Sequence, residues 1–276
     1  MKLREWPLVL FTVLGQAAVG AALFIVLPLY IFPGWAAIRS VDELRIAGPA
    51  AIVALLGAAA VFSLFHLGRP QRAFRALTKS GSSWLSREVT AEMIFGIASA
   101  ALAVLAWKMP RSAASTTLSV LVVAEAGAFI YSMARIYTIA AVPAWFSPAT
   151  PVSFASTTLV LGSLIGAILS GTIGTPGLDQ SRFHSGLTGA AVIILGASFV
   201  IAILYAPRFG VFARKEPFPV AAPIRGLALV QAMRLALLGL ALAFVGFGSA
   251  LVPALAAAFI SEILGRFVFY SLPAGF

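Results

Sequence analysis

Residues 7–32 read "PLVLFTVLGQAAVGAALFIVLPLYIF". No charged side chain interrupts them. The run is far longer than the 7–15 apolar residues of a secretory leader, although the preceding "MKLREW" has the charged front of one. It meets the requirement of about 20 apolar residues for a membrane-crossing helix. The same test along the chain gives eight spans: 7–32, 47–67, 88–107, 115–142, 152–173, 185–206, 225–247 and 249–272. The division between the last two rests on "GFGSALVP", with Gly246, Gly248 and Pro253 as punctuation. Pro207 and the prolines that follow it mark the end of the sixth. Strands of a membrane barrel alternate polar and apolar residues over about ten positions. These runs are continuous and longer, so the expected fold is all-α: one polytopic membrane domain, residues 1–276, of eight transmembrane helices in a bundle.

Composition agrees. The chain is 61% hydrophobic and only 10% charged, with mean hydropathy +1.02, whereas soluble domains are about 25% charged. With no cysteine, the chain cannot ligate an iron–sulfur cluster or a zinc–thiolate site. The net charge of +10 does not point to nucleic acid, because the cations sit in short loops between spans. There they face lipid headgroups or an acidic protein surface.

Eight spans place both termini on one face, side A. Side A also receives the 68–87, 143–151 and 207–225 loops. It collects eleven cations (Lys2, Arg4, Arg69, Arg72, Arg75, Lys79, Arg87, Arg208, Arg214, Lys215, Arg225), against five on side B (Arg39, Arg45, Lys108, Arg111, Arg182). By the positive-inside rule side A is cytoplasmic.

The ordinary role of the 68–87 loop is to fix topology. Its neighbours ask for more. His66 closes the second span, Glu88 opens the third at the same depth, and Glu92 lies one turn along the same helix face. Ionisable groups at membrane depth are functional candidates. In the fourth span, "AEAGAFIYSMARIYTIAAVPAW" carries Glu125, Tyr131, Arg135 and Tyr137. If that helix ends near Val142, Arg135 lies roughly 10 Å below side A, able to pair with Glu88 or Glu92. Glu262 and Arg266, spaced i, i+4, are expected to pair with each other.

A haem between helices needs two ligands. The chain has two histidines, His66 and His184, near opposite faces about 30 Å apart, so no haem is expected. There is no phosphate-binding loop or dinucleotide motif. A quinone fits what remains: an imidazole able to hydrogen-bond a quinone oxygen and take its proton, and carboxylates to pass protons to water. Arg72, Arg75, Tyr131 and Arg135 complete the expected quinol-binding set with His66, Glu88 and Glu92. A different class, a secondary transporter of a small anion, would use Arg135 as its substrate site. Transporter helices are often broken at matching positions in two halves, and no such match is evident.

"HLGRPQRAFRALTKSGSSWLSRE" (66–88), "YSMARIYTIAAVPAW" (131–145), "SEILGRFVFY" (261–270) and the opening "WPLVLFTVLGQAAVGA" (6–21) resemble, in this order, the membrane anchor subunit of dimethyl sulfoxide reductase, the DmsC type. The resemblance implies a subunit without a redox metal that oxidises menaquinol, with His66 and Glu88 tied to quinol binding. It implies two partners, a four-cluster iron–sulfur subunit and a molybdopterin catalytic subunit. The first would be contacted through Arg69, Arg72, Arg75, Lys79 and Arg87. It places the chain in the bacterial inner membrane with both termini periplasmic, against the cation count. Loops basic enough to grip an acidic partner would account for that conflict.

Overall fold

The computed structural model describes residues 6–32, 34, 39–66, 81, 83–138, 140, 145–173, 177–215, 221–248 and 250–271, and for 66, 206–215, 221–226 and 248 the backbone alone. Among the described residues the chain is helical, without strands. The helices are α1 (Trp6–Ile31), α2 (Asp42–His66), α3 (Trp84–Lys108), α4 (Ala113–Tyr137), α5 (Ala149–Thr172), α6 (Leu178–Lys215), α7 (Ala221–Gly248) and α8 (Leu251–Ser271). All eight are long and apolar enough to cross a membrane.

Several ends differ from the hydropathy reading, each for a local reason. α2 starts five residues early, because Asp42 and Glu43 occupy its first turn, where acids complement the helix dipole. α3 starts at Trp84 after Ser83, so Glu88 lies one turn inside the helix instead of opening it. α4 stops at Tyr137, not near Val142. Thr138 closes it, with its backbone N–H on the Ala134 and Arg135 carbonyls and its hydroxyl donating to Ala134 O at 2.8 Å. Arg135 therefore sits in the last turn of α4 rather than deep below side A. α6 runs on through Pro207 to Lys215. α7 starts before Pro223, which suits a first turn because proline has no N–H to leave unbonded. The break between α7 and α8 falls where the glycines put it.

The helices form two four-helix bundles. In the first, α1 packs on α2, α2 on α3, α3 on α4 and α4 back on α1; in the second, α5 to α8 close in the same way. The two meet where α1 lies along α5, with α8 against α1 and α4 against α5. This repeat of shape has no detectable counterpart in the sequence. α1 is the central element. In its most apolar window 83% of residues are buried, against 61% in α5 and at most 44% elsewhere.

Glycine makes the central seam possible. A Cβ on Gly20 would lie 2.6 Å from Gly162 Cα, and one on Gly162 would meet the Gly20 backbone as closely. Two backbones approach like this only where neither residue carries a side chain, which is how small residues promote helix association in lipid. Just beyond Gly20, α1 widens to π geometry over Ala22–Val26, and Leu27 N–H reaches Ala22 O. This loosened turn precedes Pro28, which cannot donate a backbone bond. On side B, Arg45, buried at 1% exposure, ties the end of α1 to α2. It donates to Leu29 O at 3.1 and 3.2 Å and pairs with Asp42, which Arg111 also approaches at 3.4 Å.

The seam predicts a clean contrast. Gly162→Val should force the bundles apart and lower the thermal unfolding midpoint in detergent by several degrees, the scale of an overpacking cost of about 1–3 kcal/mol. Gly57→Val and Gly127→Val, where a Cβ meets nothing within 4 Å, should leave the midpoint near wild type. Equal midpoints for all three would remove the seam's importance.

Candidate functional site

Side A is where α2, α4, α6 and α8 end and α3, α5 and α7 begin. The polar chemistry singled out in the sequence lies here. His66 is the last residue of α2, and its side chain lies outside the described residues. The helix end is fixed against α1: Trp6 meets Phe62 edge-on at 5.8 Å and stacks on Phe65 at 6.3 Å. Arg69, Arg72, Arg75 and Lys79 also lie outside the described residues.

Glu88 is four residues into α3, about 6 Å along its axis, and only 4% exposed. It makes no ion pair or hydrogen bond among the described residues. Glu92, one turn on, is half-buried, and its Oε1 has no hydrogen-bond partner. Spacing alone let Arg135 neutralise one of these acids. The structure does not: Arg135 is exposed and forms no ion pair among the described residues. Its guanidinium instead lies 5.1 Å from the centre of the Trp84 ring, which Tyr131 meets edge-on at 5.6 Å. Arg87 covers the same ring at 4.4 Å and donates to Gly81 O at 2.9 Å. Tyr131, Arg135 and Arg87 thus gather on the outside of the α3–α4 pair, while Glu88 points inward.

Side A also holds an aromatic cluster that spacing in the sequence does not assemble. Tyr137 ends α4 and packs on Trp145, Phe154, Phe269 and Tyr270 with ring centres 5.3–5.7 Å apart. Trp145 stacks on Phe269 at 5.2 Å and donates its indole N–H to Phe269 O at 3.0 Å. Both tyrosine hydroxyls are within electrostatic reach of Glu88. The Tyr270 hydroxyl is buried beside those of Tyr137 and Thr12. The stretches 131–145 and 261–270, far apart in sequence, therefore meet in one structure at side A. Their shared richness in aromatics at the ends of apolar runs was the available signal.

Beneath the cluster lies Arg266, 1% exposed. Its guanidinium rests 3.8 Å from the centre of the Phe154 ring. It donates to Gln16 Oε1 of α1 at 2.9 Å, to Thr157 Oγ1 of α5 at 3.2 Å and to Ser153 O at 3.3 Å. It does not bond Glu262, contrary to the i, i+4 expectation. Glu262 instead accepts from Thr157 at 2.6 Å and pairs with Arg234 of α7 at 3.7 Å. Helix packing turned Arg266 toward the seam and Glu262 toward α7, giving each a better partner on another helix. Gln16 and Arg234, each a polar residue within an apolar span, carried the signal that could have found them.

At side B, His184 is held by Ala167 O at 3.0 Å and Ser170 Oγ at 3.2 Å. It serves the end of α5, remote from His66.

The chain matches the family described as DMSO reductase anchor subunit (DmsC) over residues 1–272. It is 32% identical to the C subunit of the anaerobic dimethyl sulfoxide reductase of Escherichia coli (strain K12) over 282 residues, which cover 98% of this chain and 95% of that one. It is 35% identical over 170 residues to the YnfH subunit of an anaerobic dimethyl sulfoxide reductase of the same organism, covering 60% of this chain and 57% of that one. The corresponding C subunit of Haemophilus influenzae is 37% identical over 165 residues, covering 59% of this chain and 57% of that one.

The Arg234–Glu262 pair is testable by itself. Arg234→Ala strands a carboxylate that is 2% exposed, and breaking a buried pair costs roughly 3–5 kcal/mol. A large drop in the detergent melting point is expected. The double variant Arg234→Met, Glu262→Gln should recover most of it. A double variant no better than the single would show that the pair does not act as a unit.

Proposed function

The chain belongs to the DMSO reductase anchor subunit family, and on that premise we propose that it oxidises menaquinol at side A and passes the electrons to a partner subunit. The supporting observation is the position of Glu88. It is a carboxyl group buried one turn into α3, with no cation to occupy it among the described residues. The preceding helix ends in His66 at the same face.

A quinol releases two protons and two electrons. His66 accepts a hydrogen bond from one quinol hydroxyl and takes its proton. Glu88 accepts a proton and releases it toward side A, with Glu92 on the same helix face behind it. The Tyr137 and Tyr270 hydroxyls lie within electrostatic reach of the carboxyl. Electrons leave for the nearest cluster of a four-cluster iron–sulfur subunit, and from there for a molybdopterin subunit that reduces the terminal acceptor. Arg69, Arg72, Arg75 and Lys79 and the cations of the 207–225 loop grip the acidic face of the iron–sulfur subunit. In this arrangement the complex sits in the bacterial inner membrane with side A, and both termini, periplasmic. The anion-transporter alternative loses its site, because Arg135 is an exposed residue at a helix end.

His66→Ala in the assembled complex should cut quinol-driven turnover by about 10²–10⁴-fold, the usual contribution of a general acid–base group. Glu88→Gln should act in the same direction. Turnover driven by a soluble artificial donor, which bypasses the membrane, should be nearly unchanged in both. Equal losses with the two donors would make these residues structural.

A further inference from the structure

We propose that the outward face where α3 begins and α4 ends is a binding site for the headgroup of an anionic phospholipid, with Arg135, beside Arg87, holding its phosphate against Trp84 and Tyr131.

Position comes first. Along α4, Val120, Ala124, Ala128, Tyr131 and Arg135 are all exposed and recur every three or four residues, so they form one stripe. Val120 is 52% and Tyr131 57% exposed, and Leu85, beside Trp84, is 57% exposed. In a helix that crosses a membrane this is the face wetted by acyl chains. Arg135 ends the stripe in the last turn of α4, and Trp84 starts α3. The guanidiniums therefore stand at headgroup level, directly above lipid-facing apolar surface. Tryptophan and tyrosine favour the same level.

Charge comes second. Two guanidiniums flank one indole, at 4.4 and 5.1 Å. Among the described residues no acid pairs with Arg135. Glu88 is buried on the inner side of α3, and Arg135 pairs with neither it nor Glu92. The indole face holds the cation in place but carries no net charge. Arg135 therefore still calls for an anion, and a phosphate takes forked N–H donors well. A neutral quinol offers only hydroxyl oxygens and cannot meet that charge, so Tyr131 and Arg135 suit a lipid better than a quinol. A zwitterionic lipid brings its own cation beside the phosphate, so the preference is for a net-negative headgroup. A partner protein is a weaker occupant, because the stripe below the arginines faces the bilayer plane. This site does not depend on the quinol reading.

Spin-labelled phosphatidylglycerol and phosphatidylcholine, each at trace level in phosphatidylcholine vesicles, measure the preference directly. The protein is used both as the isolated chain and in its assembled complex. Wild type should associate more strongly with phosphatidylglycerol. Arg135→Gln should weaken that preference by roughly fivefold, the scale expected per arginine near a charged surface. Arg135→Lys should keep most of it. Arg182→Gln, a control at an exposed side-B cation, should leave it unchanged. Four results would each overturn the proposal: no preference in wild type, equal loss in the Arg135 and Arg182 variants, displacement of the label by inorganic phosphate, or a preference that vanishes when the partner subunits assemble. The last would assign the surface to a protein.

Discussion

The two bundles meet backbone to backbone at a pair of glycines. Gly20 of α1 and Gly162 of α5 touch backbone to backbone, with no room for a Cβ on either. In lipid there is little hydrophobic gain from bringing helices together, so dispersion and shape complementarity have to hold them. At this seam two four-helix bundles become one body. It also explains why α1, a helix at the start of the chain, is the most deeply buried element. One turn from Gly20 stands Gln16, and five residues from Gly162 stands Thr157. The seam places both within reach of Arg266 of α8. A buried guanidinium is tolerable only with such acceptors around it. The polar centre thus depends on the small-residue contact beside it.

The polar groups sort by direction. Arg266 is turned toward the seam, where it bonds Gln16 and Thr157, while Glu262 is turned toward Arg234 of α7; these cross-helix contacts serve architecture. Glu88 is turned inward at side A without such partners among the described residues, within electrostatic reach of the two tyrosines. Arg87 and Arg135 are turned outward on the same pair of helices that carries Glu88. A single rotation of the helix face separates a group suited to proton exchange from groups suited to anchoring lipid. Charge alone would not have separated them, since all lie within two turns of side A.

How much of this was legible in the sequence follows from what hydropathy and spacing encode. Eight spans were readable because each apolar run is long enough to cross lipid. Helix ends were less so. Capping by Thr138, acids in the first turn of α2 and tolerance of Pro207 are local effects that a hydropathy window averages away. The error at α4 mattered most, because it made a surface arginine look buried. Pairing by i, i+4 spacing failed for Glu262 and Arg266, because in a bundle the stronger partner is often on another helix. The meeting of residues 131–145 with 261–270 could be suspected from their aromatic content but not placed, since nothing local encodes which helices are neighbours. Glu88 was legible as a charge at the wrong depth for lipid, and His66 as the imidazole closest to it along the chain.

The central claim is that a quinol reacts at side A of the first bundle, between the end of α2 and the first turns of α3. A photoreactive azidoquinone added to the intact complex, followed by peptide mapping of the labelled chain, tests this most directly. The account predicts label on peptides spanning 62–66 and 84–92, lost on competition with unlabelled menaquinone. Competed label confined to α5–α8, or to the side-B ends of the helices, would contradict it.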